Sequence, residues 1–150
     1  MSDRLQETSN IWITGASSGI GESVTRALAR GGHHLIVTGR RTEALEELAS
    51  VAPERIHPAA ADTTSKEDLQ SIAGSLETYG DLNMVILNAG TCEYLNIADY
   101  SSDVIEKNIQ TNVIGTARCL DIALPALRRS RANGKPATLV IVSSSAWWFP

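Results

Sequence analysis

The stretch that decides the fold reads WITGASSGIG, residues 12–21. An apolar, strand-like start runs into Gly15, Gly19 and Gly21, spaced G-x-x-x-G-x-G. A helical stripe of Ile20, Val24, Ala27 and Leu28 follows, closed by Gly31-Gly32. A strand that turns on glycines into a helix lets a pyrophosphate approach the backbone closely. The helix start adds free amide hydrogens and the positive end of its dipole. The spacing is not G-x-G-x-x-G, but the physical requirement is the same. The turn therefore predicts a nucleotide site; the alternative reading is a tight turn and nothing more.

Outward from this turn the chain alternates between two periods. Apolar runs occupy 11–14, 34–38, 56–60, 83–87 and 138–143, and those at 34–38, 83–87 and 138–143 predict strands covered on both faces. Thr42 is placed as the cap of a short helix carrying Leu45 and Leu48. Ser65-x-x-Asp68 reads as a capping box before Leu69, Ile72 and Leu76. A long helix is expected from about Ser102 to Arg129, with a stripe of Ile105, Ile109, Asn112, Thr116, Leu120, Ala123 and Leu127 that Pro125 kinks or shortens. Repeated strand–helix alternation means right-handed βαβ units and a parallel sheet. The expectation is an α/β, doubly wound, Rossmann-type domain over residues 1–150, three layers around about five strands, after a polar tail at 1–9.

Composition narrows the partners. A formal charge of −4 argues against nucleic acid or an anionic membrane surface. Arg128, Arg129, Arg131 and Lys135 are read as solvated cations at the negative end of a helix dipole. Cys92 and Cys119 lack metal-ligand spacing and suit a reducing compartment. With no apolar leader and no run long enough for a membrane span, the expected location is the cytoplasm.

TGASSGIG resembles the cofactor loop of the short-chain dehydrogenase/reductase family. Four further motifs follow in the family's order: Asp62, LNAG at 87–90, Asn112, and SSS at 143–145. The resemblance covers essentially the whole chain. It implies that Gly15, Ser17, Ser18, Gly19, Ile20 and Gly21 hold the pyrophosphate, and that Asp62 and Thr63 meet the adenine edge. Asn88, Ala89 and Gly90 are implied to flank the adenosine ribose and to join neighbouring strands. A structural turn role for Asn88 is the other reading.

The end of the second strand usually selects the coenzyme: an acid there favours NAD, an arginine NADP. This chain reads VTGRR at 37–41, with Gly39 in the acid's place and Arg40 next. A guanidinium grips a 2′-phosphate in bidentate fashion, so NADP(H) is expected over NAD(H). Arg41 is read as a solvated loop charge. Ser17 and Ser18 stand where some NADP-preferring relatives carry a second basic residue.

On the catalytic side, the resemblance makes Asn112 the residue that distorts the long helix and holds a relay water. The alternative is a satisfied, buried asparagine. Alignment on Ala146 makes Ser144 the serine that hydrogen-bonds the substrate oxygen; Ser143 takes that place if the alignment slips by one. Trp147 occupies a position often held by glycine.

The family's tyrosine and lysine, four residues apart on one helix face, would lie beyond residue 150. Tyr79, Tyr94 and Tyr100 have Asn83, Ala98 and Val104 at that offset. The chain is therefore expected to be C-terminally incomplete and inactive alone. A parent enzyme would move hydride between NADP(H) and a small carbonyl or alcohol substrate, pairing copies through the helix at 102–129. A non-catalytic dinucleotide-binding module and a gene fragment without function are the competing readings. Exposed apolar surface around Trp147, Trp148 and Phe149 is also expected.

Overall fold

A computed structural model describes residues 8–94 and 96–144. The expectations placed on Ser145 to Phe149, and on most of the polar N-terminal tail, lie outside these residues. Five strands form one sheet: β1 (Asn10–Thr14), β2 (His34–Thr38), β3 (Ile56–Pro58), β4 (Met84–Leu87) and β5 (Thr138–Ile141). All pairings are parallel and the spatial order is β3-β2-β1-β4-β5. The helices are α1 (Gly19–Arg30), α2 (Thr42–Ser50), α3 (Lys66–Thr78), α4 (Ser102–Ile109) and α5 (Thr116–Ala132), with a π-helical segment at Gln110–Gly115 joining the last two.

Side-chain alternation along each strand fills two cores. Ile11, Ile13, Leu35, Val37 and Ile86 point to the face covered by α1 and α2, where they meet Ala29, Leu45 and Leu48. Trp12, Ile36, Val85 and Leu87 point to the other, against Leu69, Ile72 and Leu76 of α3 and Cys119, Ala123 and Leu127 of α5. Successive residues buried on opposite faces are the signature of a sheet covered on both sides. The layers are therefore α/β/α, doubly wound.

Four expectations require correction. The apolar run at 138–143 is not a covered strand: Leu139, Val140, Ile141 and Val142 are 36–49% exposed, because no described helix packs on β5. The fully buried residues of α1 are Gly21, Thr25 and Ala29; of the expected stripe, Val24 and Leu28 pack partly buried against the same core, while Ile20, 63% exposed, and Ala27 fall outside it. Thr42 is the first residue of α2, with Arg41 at the cap position and no side-chain capping bond. The long helix is broken into α4, the π segment and α5, and its stripe is only partly buried: Ile105 and Ile109 stay exposed. Pro125 does not shorten it, since α5 continues to Ala132.

The capping box before α3 is half formed. Ser65 Oγ accepts from the Asp68 amide at 3.1 Å, but the Asp68 carboxylate turns to the Asp62 amide at 2.8 Å. That second bond fixes the start of the loop that follows β3.

Candidate functional site

Strand order reverses between β1 and β4, and a crevice opens outside the carboxyl ends of strands at such a point. A cleft of about 330 Å³ lies there. It is lined by Gly15, Ser17, Ser18 and Ile20 from the glycine turn, Gly39, Arg40 and Arg41 after β2, Ala61, Asp62 and Thr63 after β3, and Asn88, Ala89 and Gly90 after β4, with Thr111 from the π segment. Ten of the twelve residues expected from sequence to hold the coenzyme thus share one cleft. Gly19 and Gly21 shape it without lining it.

Gly21 is required by close approach. A Cβ built on it would stand 2.2 Å from the Gly15 carbonyl oxygen and 2.6 Å from Asn88 Nδ2. Gly19 sits at the first position of α1 with φ +57°, and a Cβ there would meet nothing within 4 Å, so it opens on empty space. Ser18 precedes it in extended conformation, and its hydroxyl makes no capping bond. The Glu22 amide donates to the Ser18 carbonyl at 3.3 Å, and the amides before it, as at any helix start, have no partner inside the helix.

Three threonines organise the walls. Thr14 Oγ1 accepts from the amides of Asn88 (3.0 Å) and Ala89 (3.1 Å), tying β1 to the end of β4. Thr38 Oγ1 accepts from buried Trp12 Nε1 at 3.0 Å. Thr64 donates its amide and hydroxyl to Asp62 Oδ1 at 2.8 and 2.7 Å. Partial burial pushes the Asp62 carboxyl up, but the two Thr64 bonds and the charge of Arg40 outweigh it and hold it below its ordinary value. Asp62 is thus a fixed anion beside Arg40. Thr14 was missed in the sequence because its role is to accept bonds from two amides far along the chain.

Arg41 is not the free loop charge expected. Its guanidinium donates to the Ser17 carbonyl at 2.6 Å, bringing a cation onto the glycine turn from the β2 side. Asn88 Nδ2 donates to the Gly15 carbonyl at 3.2 Å, so this side chain also braces the turn.

Asn112 lies within the π segment. Widened i→i+5 turns of this kind inside α-helices are frequent at functional sites. Its side chain is exposed rather than buried: Oδ1 accepts from the Thr91 amide and Nδ2 donates to the Thr91 carbonyl, both at 2.8 Å. Gly115 closes the segment, where a Cβ would come within 3.0 Å of Thr63 Oγ1. Ser143 and Ser144 follow β5, whose ladder extends through the Val142 amide to the Leu87 carbonyl at 2.9 Å. They stand at the same end of the sheet as the cleft but do not line it. Tyr79 lies at the opposite end, its carbonyl bonded to Asn10 at the start of β1. Tyr94 and Tyr100 are exposed.

The family model for short chain dehydrogenases matches residues 9–147. The chain belongs to that family. Among curated relatives, an uncharacterized oxidoreductase of Staphylococcus epidermidis is 30% identical over 132 residues, covering 87% of this chain and 57% of that protein. Among solved structures, the Pseudomonas aeruginosa RhlG/NADP active-site complex superposes with a TM-score of 0.85 at 27% identity, over 97% of this chain and 59% of the other. The 3-ketoacyl-(acyl-carrier-protein) reductase of Brucella melitensis, complexed with NADH, gives a TM-score of 0.86 at 23% identity over 94% and 59%, a likeness of fold alone. This short-chain dehydrogenase chain spans about half the length of the curated relatives it matches, from 51% to 57%. Among the described residues no helix is long and apolar enough to cross a membrane, and no His/Cys/Asp/Glu cluster could hold a metal ion.

Proposed function

We propose that the cleft binds NADP(H) and that the chain is the coenzyme-binding part of an oxidoreductase acting on a small carbonyl or alcohol substrate. One observation carries the reading: the glycine turn, Arg40, Asp62 and the Asn88–Gly90 segment line a single cleft at the switch point of the sheet. Its volume falls in the range of small-molecule sites. The open space at Gly19 and the uncapped first turn of α1 fit an anionic pyrophosphate. Asn88, Ala89 and Gly90 would flank the ribose, and Asp62 and Thr63 the adenine edge.

The choice of NADP(H) rests on this chain's own residues. Gly39 offers no carboxylate to ribose hydroxyls or against a 2′-phosphate, and Arg40 supplies the guanidinium for one. The Pseudomonas relative complexed with NADP supports the same choice. The bound coenzyme would supply or accept a hydride. Asn112 spends one acceptor and one donor on Thr91, which leaves one lone pair and one N–H for a relay water. Ser144 would hydrogen-bond the substrate oxygen, and copies would pair through the helix at 102–129.

No tyrosine of the sequence has a lysine four residues on. The 150-residue chain assayed by itself is therefore expected to bind coenzyme yet turn over negligibly, as the non-catalytic module would. Calorimetric titration of Arg40→Ser separates the coenzyme choice from binding itself. Loss of one charge-assisted contact, about 1.5–3 kcal/mol, weakens NADPH roughly 10- to 150-fold while NADH is unchanged. Equal weakening of both coenzymes would sink the NADP(H) assignment.

A further inference from the structure

The loop after β4 is held against α4 and the π segment by two asparagines, not one. Asn112 exchanges a pair of hydrogen bonds with the backbone of Thr91. Asn108, four residues earlier, does the same with Glu93: its Oδ1 accepts from the Glu93 amide and its Nδ2 donates to the Glu93 carbonyl, both at 3.0 Å. Residues four apart on a helix are neighbours on one side, separated by about 6 Å of rise. Residues two apart on a nearly straight backbone are separated by about 6.6 Å. The two carboxamides therefore engage alternate loop residues in the manner of ladder partners from an adjacent strand. A one-residue slip of the loop would break all four bonds at once.

What this ladder holds is the wall of the cleft. Gly90 lines it directly, and a Cβ added at Gly90 would stand 3.3 Å from Asn112 Oδ1, so the wall runs close beside the π segment. Beyond Arg40, Asp62 and Thr111 the space continues into a groove of about 310 Å³ whose lining includes Thr91 and Glu93 themselves. A second clip at Glu93, beside the exposed Lys107–Glu93 ion pair at 3.7 Å, fixes the loop's direction as well as its position.

We propose that Asn108 is a positioning residue of the coenzyme cleft, acting with Asn112 to set the register of the Thr91–Glu93 loop against the helix. The proposal rests on the coenzyme reading given above. It assigns Asn108 no contact with the ligand; its effect passes through the backbone of Glu93 and Thr91 to Gly90.

The test pairs residue-resolved amide hydrogen exchange with calorimetric NADPH titration on the full chain. In Asn108→Ala the Glu93 amide is expected to exchange at least 10-fold faster, while the Thr91 amide stays protected by Asn112. The NADPH dissociation constant is expected to rise about 3- to 10-fold with the melting temperature nearly unchanged, a split that a merely structural residue would not give. Asn108→Asp keeps the acceptor for the Glu93 amide and loses the donor, so both readouts should fall between; it carries the test if the alanine variant does not fold. Unchanged Glu93 exchange, or unchanged NADPH affinity in a protein that binds the coenzyme, would overturn the role of Asn108 alone. If the unaltered chain does not bind NADPH, the coenzyme reading fails as well.

Discussion

Thr14 Oγ1 lies 3.0 Å from the Asn88 amide, and this contact ties the end of β1 to the Asn88–Gly90 segment that lines the cleft. The same oxygen takes the Ala89 amide, so a single buried hydroxyl satisfies two donors at the end of β4. Thr14→Val keeps the shape and strands both amides. An unmade buried bond costs about 1–3 kcal/mol, which in a chain of this size lowers the melting temperature by several degrees. Coenzyme affinity should fall with it, because Asn88 also braces the Gly15 carbonyl. A Thr14→Val protein that melts and binds like the parent would show that the tie is idle.

Two glycine substitutions should move stability in opposite directions. Gly21→Ala forces a methyl against the Gly15 carbonyl, a backbone atom that cannot rotate away, and over-packing of this kind costs about 1–3 kcal/mol or more. Gly74→Ala, inside α3 with nothing within 4 Å, should stabilise by about 0.5–1 kcal/mol through helix propensity. Thermal or urea unfolding of the two variants side by side checks the sign of each.

How much of this was legible in the sequence follows from what each signal depends on. The glycine turn, the alternation of strands and helices and the β3, β4 and Arg40 contributions to the cleft depend on local pattern, and the structure brings them together. Four of the five strands behave as their apolar runs imply. β5 does not, because composition reports what a strand is able to bury and not what stands next to it. On α1, Val24 and Leu28 pack on the core as their residue type implies, whereas Ile20 does not, and buried Gly21 and Thr25 carry no apolar signal. Thr14, Arg41 and Asn108 were unreadable for a common reason: each acts on backbone atoms 15 to 75 residues away, and no spacing rule reports such a bond.

The two thiols should react very differently. Cys119 is 1% exposed, and burial pushes its thiol up to about 12, so almost no thiolate exists at pH 8. Cys92 is exposed. Iodoacetamide under native conditions should label Cys92 and spare Cys119 until the protein is unfolded. Equal labelling of both in the native state would contradict the packing of α5 on the sheet.

Histidine ionisation gives stability a defined pH window. Burial, and then the neighbouring His34 ring at 6.2 Å, hold His57 below its ordinary value; Tyr79 covers it at 4.9 Å. A lowered folded-state value means the unfolded chain takes the proton first as pH falls. Stability is therefore full above the unfolded value of about 6.5 and declines below it, levelling off under the folded value. His57→Gln should flatten this part of a stability–pH curve measured by urea unfolding between pH 5 and 8. A wild-type curve that rises on acidification through this window would refute the packing of these rings.

The central claim is that a dinucleotide lies in the cleft at the switch point, its phosphates against the glycine turn. The most direct measurement is an NADPH titration followed by backbone amide resonances of the full chain. Saturable shifts are expected at Gly15–Gly21, Arg40, Asp62 and Asn88–Gly90, and not along the outer groove between Leu69 and Ile122. Millimolar NADPH and NADH that leave the glycine-turn amides unmoved in folded protein would contradict it.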